Sequence, residues 1–407
     1  MLLKLAWRNI WRNRRRTIIT LAAVTFATLL AIGMRGIQLG TYALNYRTII
    51  EQFTSYVQIQ PKGFQENPSL NKSFRYTKQL QSKLDNIPEV PAYTPRIYAD
   101  GLISYKDASL GSAIFGIEPE GEKKVTTLLE KVKEGRFIQT DSSNNIVVGI
   151  TLLENLKAKI GDTVVVLAQG FDGSLGNLKF MIAGAIRMGS KEFDAMAVFM
   201  GLKTAQSLLG MYNRVNVIAI SAKGLSDAPN VKEAVSKKIA DPGLRVLLWR
   251  EVIPELEQLV EFDNISGIFF LGILIVIVAF GILNTILMSI TERFREFGVE
   301  LAIGMPQLDL VKIVYLETLL ITIFGLIIGN IIGYGINYYI VQHPIIFGGE
   351  LTKIYEEYGF LPRLESTLDF LIFMHVSFAV IIISFLSSLY PAYKVYKLEP
   401  LKGIRYT

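Results

Sequence analysis

The chain contains no cysteine and only two histidines. Disulfide frameworks, thiolate metal sites and cysteine nucleophiles are therefore excluded, and a Ser-His-Asp hydrolase or a histidine-based metal centre has almost nothing to be built from. No GxxxxGK[ST] phosphate loop, HExxH pair or Rossmann glycine fingerprint occurs anywhere. Long apolar runs are what the chain has instead: 51% of its 407 residues are hydrophobic and only 19% are charged. That balance points to a membrane protein with room for one sizeable polar domain. The net charge of +6 is concentrated beside apolar runs, so membrane topology accounts for it without a nucleic-acid partner.

Four apolar runs divide the sequence. Residues 1–16 place Leu3, Trp7, Ile10 and Trp11 on one helical face and Lys4, Arg8 and Arg12 on another, as in an interfacial amphipathic helix. The spans are expected at 17–39, 264–290, 313–341 and 368–391. Between the first two, residues 40–263 alternate strand-like and helical patterns, predicting an α+β domain with room for two subdomains. Residues 342–367 read as an acidic loop, and 392–407 as a basic tail ended from the last span by Pro391. Basic termini with an acidic loop place both ends and 291–312 in the cytosol, and the large domain outside. Within the spans, Ala23, Ala27 and Ala31 form one small-residue ridge, and Gly325, Gly329 and Gly333 form a doubled GxxxG ridge, both suited to close helix contact. Glu317 reads as a headgroup-level carboxylate, and His375 as a packed neutral ring. Gln169–Asn177 reads as a long hairpin tip.

The short charged stretch between spans two and three, TERFREFGVELAIGMPQLDL, carries the strongest local pattern. Phe294, Phe297 and Leu301 share a helical face beside Gly298, while Arg293, Glu296 and Glu300 share another. Gly304 is the expected C-cap, with Pro306 and Asp309 opening the next helix. Its apolar face either lies in the headgroup layer or plugs into a groove on a cytosolic partner, and periodicity alone favours the membrane surface.

Two motifs resemble those of the FtsX/MacB/LolC–LolE superfamily of ABC transporter permeases. Glu292 to Gly304, ERFREFGVELAIG, followed by LET at Glu317, is similar to the family's ER-x-REIG-x-x-x-A-x-G coupling segment, with Phe297 where isoleucine is usual. Pro391 to Tyr406 is similar to the terminal P-A-x-x-A-x-x-x-x-P-x-x-x-L-R pattern, with Val395 and Ile404 substituted. The resemblance implies four transmembrane helices and a porter-like extracytoplasmic domain with an inserted second part. It implies docking of 291–310 on a separate ATPase, which would hold ATP and Mg. Glu292, Arg293, Phe294, Arg295, Glu296, Phe297, Gly298, Glu300, Leu301 and Gly304 are then the coupling residues. Closest is the lipoprotein-releasing LolC/LolE type in the bacterial inner membrane, working with a second permease copy or paralogue. Its acyl-chain cavity between spans one and two would fall on Met34, Ile37, Phe262, Ile265, Phe269 and Ile273. Phe171, Asp172 and Leu175 sit where a chaperone-recruiting hook would project, although this loop is short and lacks the hook's proline. An FtsX-like signalling subunit acting on a cell-wall hydrolase, or a MacB-like efflux permease, is the alternative.

Overall fold

The computed structural model describes residues 2–12, 14–357 and 361–400. Its contacts divide into two units, Met1–Tyr42 with Val260–Ile346 and Arg363–Thr407, and Ala43–Leu259 with Phe347–Pro362.

The first unit is helical. α1 (Leu2–Arg12) precedes α2 (Arg14–Ile49); α3 (Pro254–Glu292), the short α4 (Phe294–Ala302), α5 (Gln307–Gln342) and α6 (Phe370–Tyr396) complete it. Among the described residues, four helices are long and apolar enough to cross a membrane: α2 with the π-turn that extends it to Thr54, α3, α5 and α6. Each exceeds its hydropathic run, because the helix continues through polar residues once water can satisfy the side chains. Pro391 does not end α6 as expected. The helix runs five residues further, with Pro391, Ala392 and Val395 all buried, since packing neighbours hold a backbone that has lost one hydrogen bond.

The glycine ridge of α5 meets α2. A Cβ at Gly325 would lie 2.7 Å from Val24, one at Gly329 2.7 Å from Thr28, and one at Gly333 3.1 Å from Ile32. Asn337 Nδ2 also donates to the Ile32 carbonyl at 3.2 Å. The alanine ridge of α2 turns to another neighbour, with Ala27 and Ala31 buried among Val278 of α3 and Val376 and Val380 of α6, and Ala23 half-buried. Gly329→Leu is accordingly expected to force α2 and α5 apart at a cost of about 1–3 kcal/mol. Gly335→Leu, where nothing lies within 4 Å, should cost close to nothing; thermal unfolding of the two variants checks this.

The second unit is built on a ten-stranded sheet. Its strands are β1 (Val57–Pro61), β2 (Tyr93–Tyr105), β3 (Ala108–Ile117), β4 (Val132–Gly135), β5 (Asn145–Gly149), β6 (Thr163–Gln169), β7 (Leu175–Ile186), β8 (Ala197–Gly201), β9 (Val217–Ile220) and β10 (Leu244–Leu248). They follow the order β10-β1-β9-β2-β3-β8-β5-β7-β4, with β6 pairing β2 and β7 off this path. The long β2–β3 hairpin carries the sheet from one half to the other. Helices Lys78–Asp85, Leu202–Leu208 and Ala228–Ile239 contribute Leu84, Leu208 and Val231 to the buried core. Strands β4 and β5 carry little local signal: VKEG has a single apolar residue, and NIVVG runs without a turn signal into helix Ile150–Leu156. The tip between β6 and β7 is shorter than expected. Gln169 already pairs with Leu175, so five residues turn the chain, with Gly173 at φ 81° and Asp172 Oδ1 accepting from the Ser174 amide at 3.0 Å. The 342–367 segment is not a bare loop, since Ile345–Ile346 pairs with Arg363–Leu364 and a helix spans Glu350–Glu357.

Candidate functional site

The candidate site is the charged turn between α3 and α5. α4 begins after Arg293, which caps it without a side-chain bond, and it ends in a Schellman motif. Gly304 has φ 103° and donates to the Leu301 carbonyl at 3.0 Å, while Met305 donates to the Glu300 carbonyl at 3.0 Å. The positive φ is why glycine stands here, and Pro306 then opens α5.

The apolar face of α4 is turned inward. Phe297 is 0% exposed, Gly298 is buried, and Phe297 packs with Ile290, Leu310, Val314, Val395 and Leu398. Phe294 and Leu301 are half-buried at the margin of the same cluster. Phe297 and Gly298 are therefore not free to contact a partner, because the ends of α3, α5 and α6 already enclose them. The outward face consists of Arg295, Glu296, Val299, Ala302 and Ile303, with Leu308 on the first turn of α5. Ile303 is 81% exposed, an unusual position for a branched apolar side chain. The face on which the resemblance put the partner contacts is thus covered at Phe297 and Gly298 by the chain itself.

Charges fasten this turn to its neighbours. Arg293, nearly buried, donates through Nη1 to both Glu317 oxygens at 2.9 and 3.1 Å, and its guanidinium lies 4.8 Å from the Phe297 ring centre. Asn9 Nδ2 donates to Glu317 Oε1 at 2.8 Å, so α1, α4 and α5 share one carboxylate. Arg12 pairs with Glu296 at 2.5 Å, and Arg16 with Glu292. Glu317 is thus a partnered anchor and not merely a headgroup carboxylate. Its link to Arg293 crosses 24 residues that no local pattern connects. α1 buries Ala6 and Ile10 and leaves Trp7 and Trp11 outward, so Ile10 departs from the face expected of it.

Family comparison agrees with these elements. A family model described as FtsX-like permease C-terminal matches residues 268–400, and one described as MacB-like periplasmic core domain matches residues 17–238. The second alone covers more than half of the chain. The chain belongs to the FtsX/MacB/LolC superfamily of ABC transporter permeases. Its relatives include an uncharacterized ABC transporter permease of Methanocaldococcus jannaschii, 20% identical over 98% of this chain and 96% of that protein. The lipoprotein-releasing system transmembrane protein LolC of Neisseria meningitidis is 21% identical over 94% of this chain and 95% of its own length. The macrolide export ATP-binding/permease protein MacB of a Shewanella strain is 22% identical over 87% of this chain, which spans 54% of that longer protein.

The permease thus has four membrane helices and a MacB-like α+β domain. Elsewhere its sequence-predicted residues divide unevenly. Met34, Phe262, Ile265, Phe269 and Ile273 are exposed in the single chain and Ile37 is half-buried, so together they form open apolar surface on α2 and α3. Beside them is a polar clasp that hydropathy hides. Gln38 Nε2 donates to the Asp263 carbonyl at 3.0 Å, Tyr42 donates to the Asp263 carboxylate, and Arg35 Nη1 donates to Gln38 Oε1 at 2.8 Å. In the α+β domain, Phe171 is half-buried beneath the Arg214 guanidinium, 4.7 Å from the ring centre, and Asp172 closes its own turn. Asp172 and Leu175 are both presented outward, Leu175 at 70% exposure. Among the described residues no group of three or more histidine, cysteine or carboxylate side chains is placed to hold a metal ion. In the terminal motif, 401–407 lie outside the described residues, including Lys402, Ile404 and Arg405.

One residue of α4 carries a pH signature. Burial raises the Glu300 carboxyl above its ordinary value; nearby Arg293 opposes the rise, and Glu296 and Glu317 add to it. Its Oε2 is buried with no hydrogen-bond partner. An acid whose folded-state pKa is raised loses stability as pH climbs from the unfolded value through the folded one. Glu300→Gln should therefore be more thermostable than the parent at about pH 8, and the gap should close toward about pH 5. Melting curves at the two pH values read the difference.

Proposed function

We propose that this permease couples ATP hydrolysis on a separate ATPase subunit to conformational change in its outer domain, and that it extracts lipoproteins from the inner membrane. The reading is carried by one observation: a relative named as a lipoprotein-releasing transmembrane protein aligns along 95% of its own length. The exposed apolar faces of α2 and α3 support it further, because a second copy or paralogue facing them would enclose an acyl-chain-sized space. On this reading the termini and α4 are cytosolic, the large domain is periplasmic, and the ATPase holds ATP and Mg.

The ATPase contact is assigned to the outward face of α4. Val299 and Ile303 supply the apolar anchors, Arg295 and Glu296 the polar rim, and Arg293, Phe297 and Glu317 the support beneath. Leu175 at the β6–β7 turn is the residue best placed for a periplasmic chaperone.

Purification from native membranes in mild detergent, followed by mass spectrometry, tests the reading. An ATPase together with triacylated lipoprotein is the expected result. An ATPase with a wall hydrolase and no lipoprotein would replace transport by signalling. No ATPase after crosslinking would remove the docking role of α4.

A further inference from the structure

One cleft lies within the α+β domain and is lined by residues of that unit alone. It has a volume of ≈ 530 Å³ and is bounded by β2, β3, the segment after β1 and the β6–β7 turn. This is the size of a site for a small molecule or a few peptide residues. Phe64, Phe115 and Phe171 give it aromatic walls, the first two buried.

Two of its polar groups, on Gln60 and Asp100, are placed to accept. Gln60 on β1 is 1% exposed, and its amide orientation is fixed by a relay. Gln60 Nε2 donates to Gln58 Oε1 at 2.8 Å, and Gln58 Nε2 donates to the Thr54 carbonyl at 2.7 Å. The relay leaves Gln60 Oε1 buried with no donor. A buried carbonyl oxygen without a donor costs about 1–3 kcal/mol unless something supplies an N–H or O–H. Asp100 on β2 adds the one charged side chain lining the cleft, and no lysine or arginine lines it. The neighbouring cations are engaged elsewhere: Lys72 donates to the Gly63 and Asn67 carbonyls, and Arg214 donates to Ser73. The Tyr98 hydroxyl, also at the cleft, already accepts from Arg96 at 3.0 Å.

We propose that this cleft binds an ammonium-bearing group on an aromatic or branched apolar body, its ammonium pairing with Asp100 while the apolar part lies against the phenylalanines and a further N–H donor of a longer ligand meets Gln60 Oε1. Such a group comes either from a lysine-containing peptide segment of a partner or from a free amphiphilic amine.

The probe is phenethylammonium, titrated calorimetrically into the full chain in phosphatidylcholine nanodiscs, with empty nanodiscs subtracted; phenylacetate is its charge-reversed control. Saturable binding of phenethylammonium and none of phenylacetate is expected. Asp100→Asn, at an exposed position, should weaken it about fivefold or more. Ala113→Trp, which fills the cleft from β3, should abolish it, with an unchanged melting temperature certifying the fold in both variants. The acetylated and amidated tetrapeptide Ala-Phe-Lys-Ala separates the sources. Binding about tenfold tighter than the amine assigns a peptide segment, and equal or weaker binding assigns a free amine. Phenylacetate binding as well as phenethylammonium, no saturation by either, or binding unchanged in both variants overturns the proposal.

Discussion

Two substitutions a few residues apart, in α4 and at its C-cap, should fail in opposite ways. Phe297→Ala is expected to destabilise the membrane unit by about 3–5 kcal/mol, the cost of emptying a fully buried aromatic site. The ring is enclosed by residues from α3, α5 and α6, and the Arg293 guanidinium lies over it, so its loss also loosens the Arg293–Glu317 pair. Recovery of an ATPase falls with it, but as a consequence of a displaced helix. Ile303→Asp should leave the melting temperature within about 1 °C of the parent, because a side chain already in solvent changes little on folding. ATPase recovery should nevertheless drop about tenfold or more, since an apolar anchor in a docking face becomes an unpaired buried charge. Thermal unfolding and quantitative co-purification on the same preparations separate the two. If Ile303→Asp recovered the ATPase normally, the outward face of α4 would not be the docking surface.

This pair of residues shows how far the chain can be read before folding. Periodicity grouped Phe294, Phe297 and Leu301 correctly on one face, and Gly304 and Pro306 marked the helix end and restart where they occur. What periodicity cannot supply is the direction of that face. An amphipathic stripe looks the same whether it meets lipid, a partner or the ends of three other helices of its own chain, and here the last is true. The glycine ridge was legible because close approach needs glycine whatever the neighbour is, although the neighbour itself, Val24–Thr28–Ile32, was not. The α+β class survived the loss of two strands, since the remaining eight still alternate with helices. Pairings such as Asn9 with Glu317 join residues 308 apart and leave no local trace. The cleft is illegible for a related reason. Gln58 and Gln60 read as the polar side of an exposed strand, yet β1 is buried along its whole length.

The same blindness applies to the most demanding interaction in the α+β domain, where Glu122→Gln is expected to destabilise by about 3–5 kcal/mol. PEGEKKV resembles a solvated turn of helix, but Glu122 and Arg96 are both fully buried. Arg96 Nε and Nη2 reach the two carboxylate oxygens at 3.0 and 2.5 Å; Nη1 donates to the Phe53 carbonyl at 2.6 Å and to the Tyr98 hydroxyl, and the guanidinium stacks on Phe53 at 4.4 Å. Glu122 also accepts from Thr126 at 2.5 Å. Glutamine keeps the shape and one acceptor but leaves a guanidinium charge uncompensated in a dry site, which is the costly outcome. Removing both charges with Arg96→Met and Glu122→Leu should cost less than Glu122→Gln alone, because the desolvation of two ions disappears together. The recovery should remain incomplete, since the Phe53 carbonyl and the Tyr98 hydroxyl then lose their donor. Native-state hydrogen exchange of the Tyr98 amide, which donates to Asn216 Oδ1 at 2.9 Å, measures the opening free energy in the full chain of the parent and both variants. A Glu122→Gln change under about 1 kcal/mol would mean that water reaches the pair and that the ion pair does not hold helix Pro119–Val125 to β2.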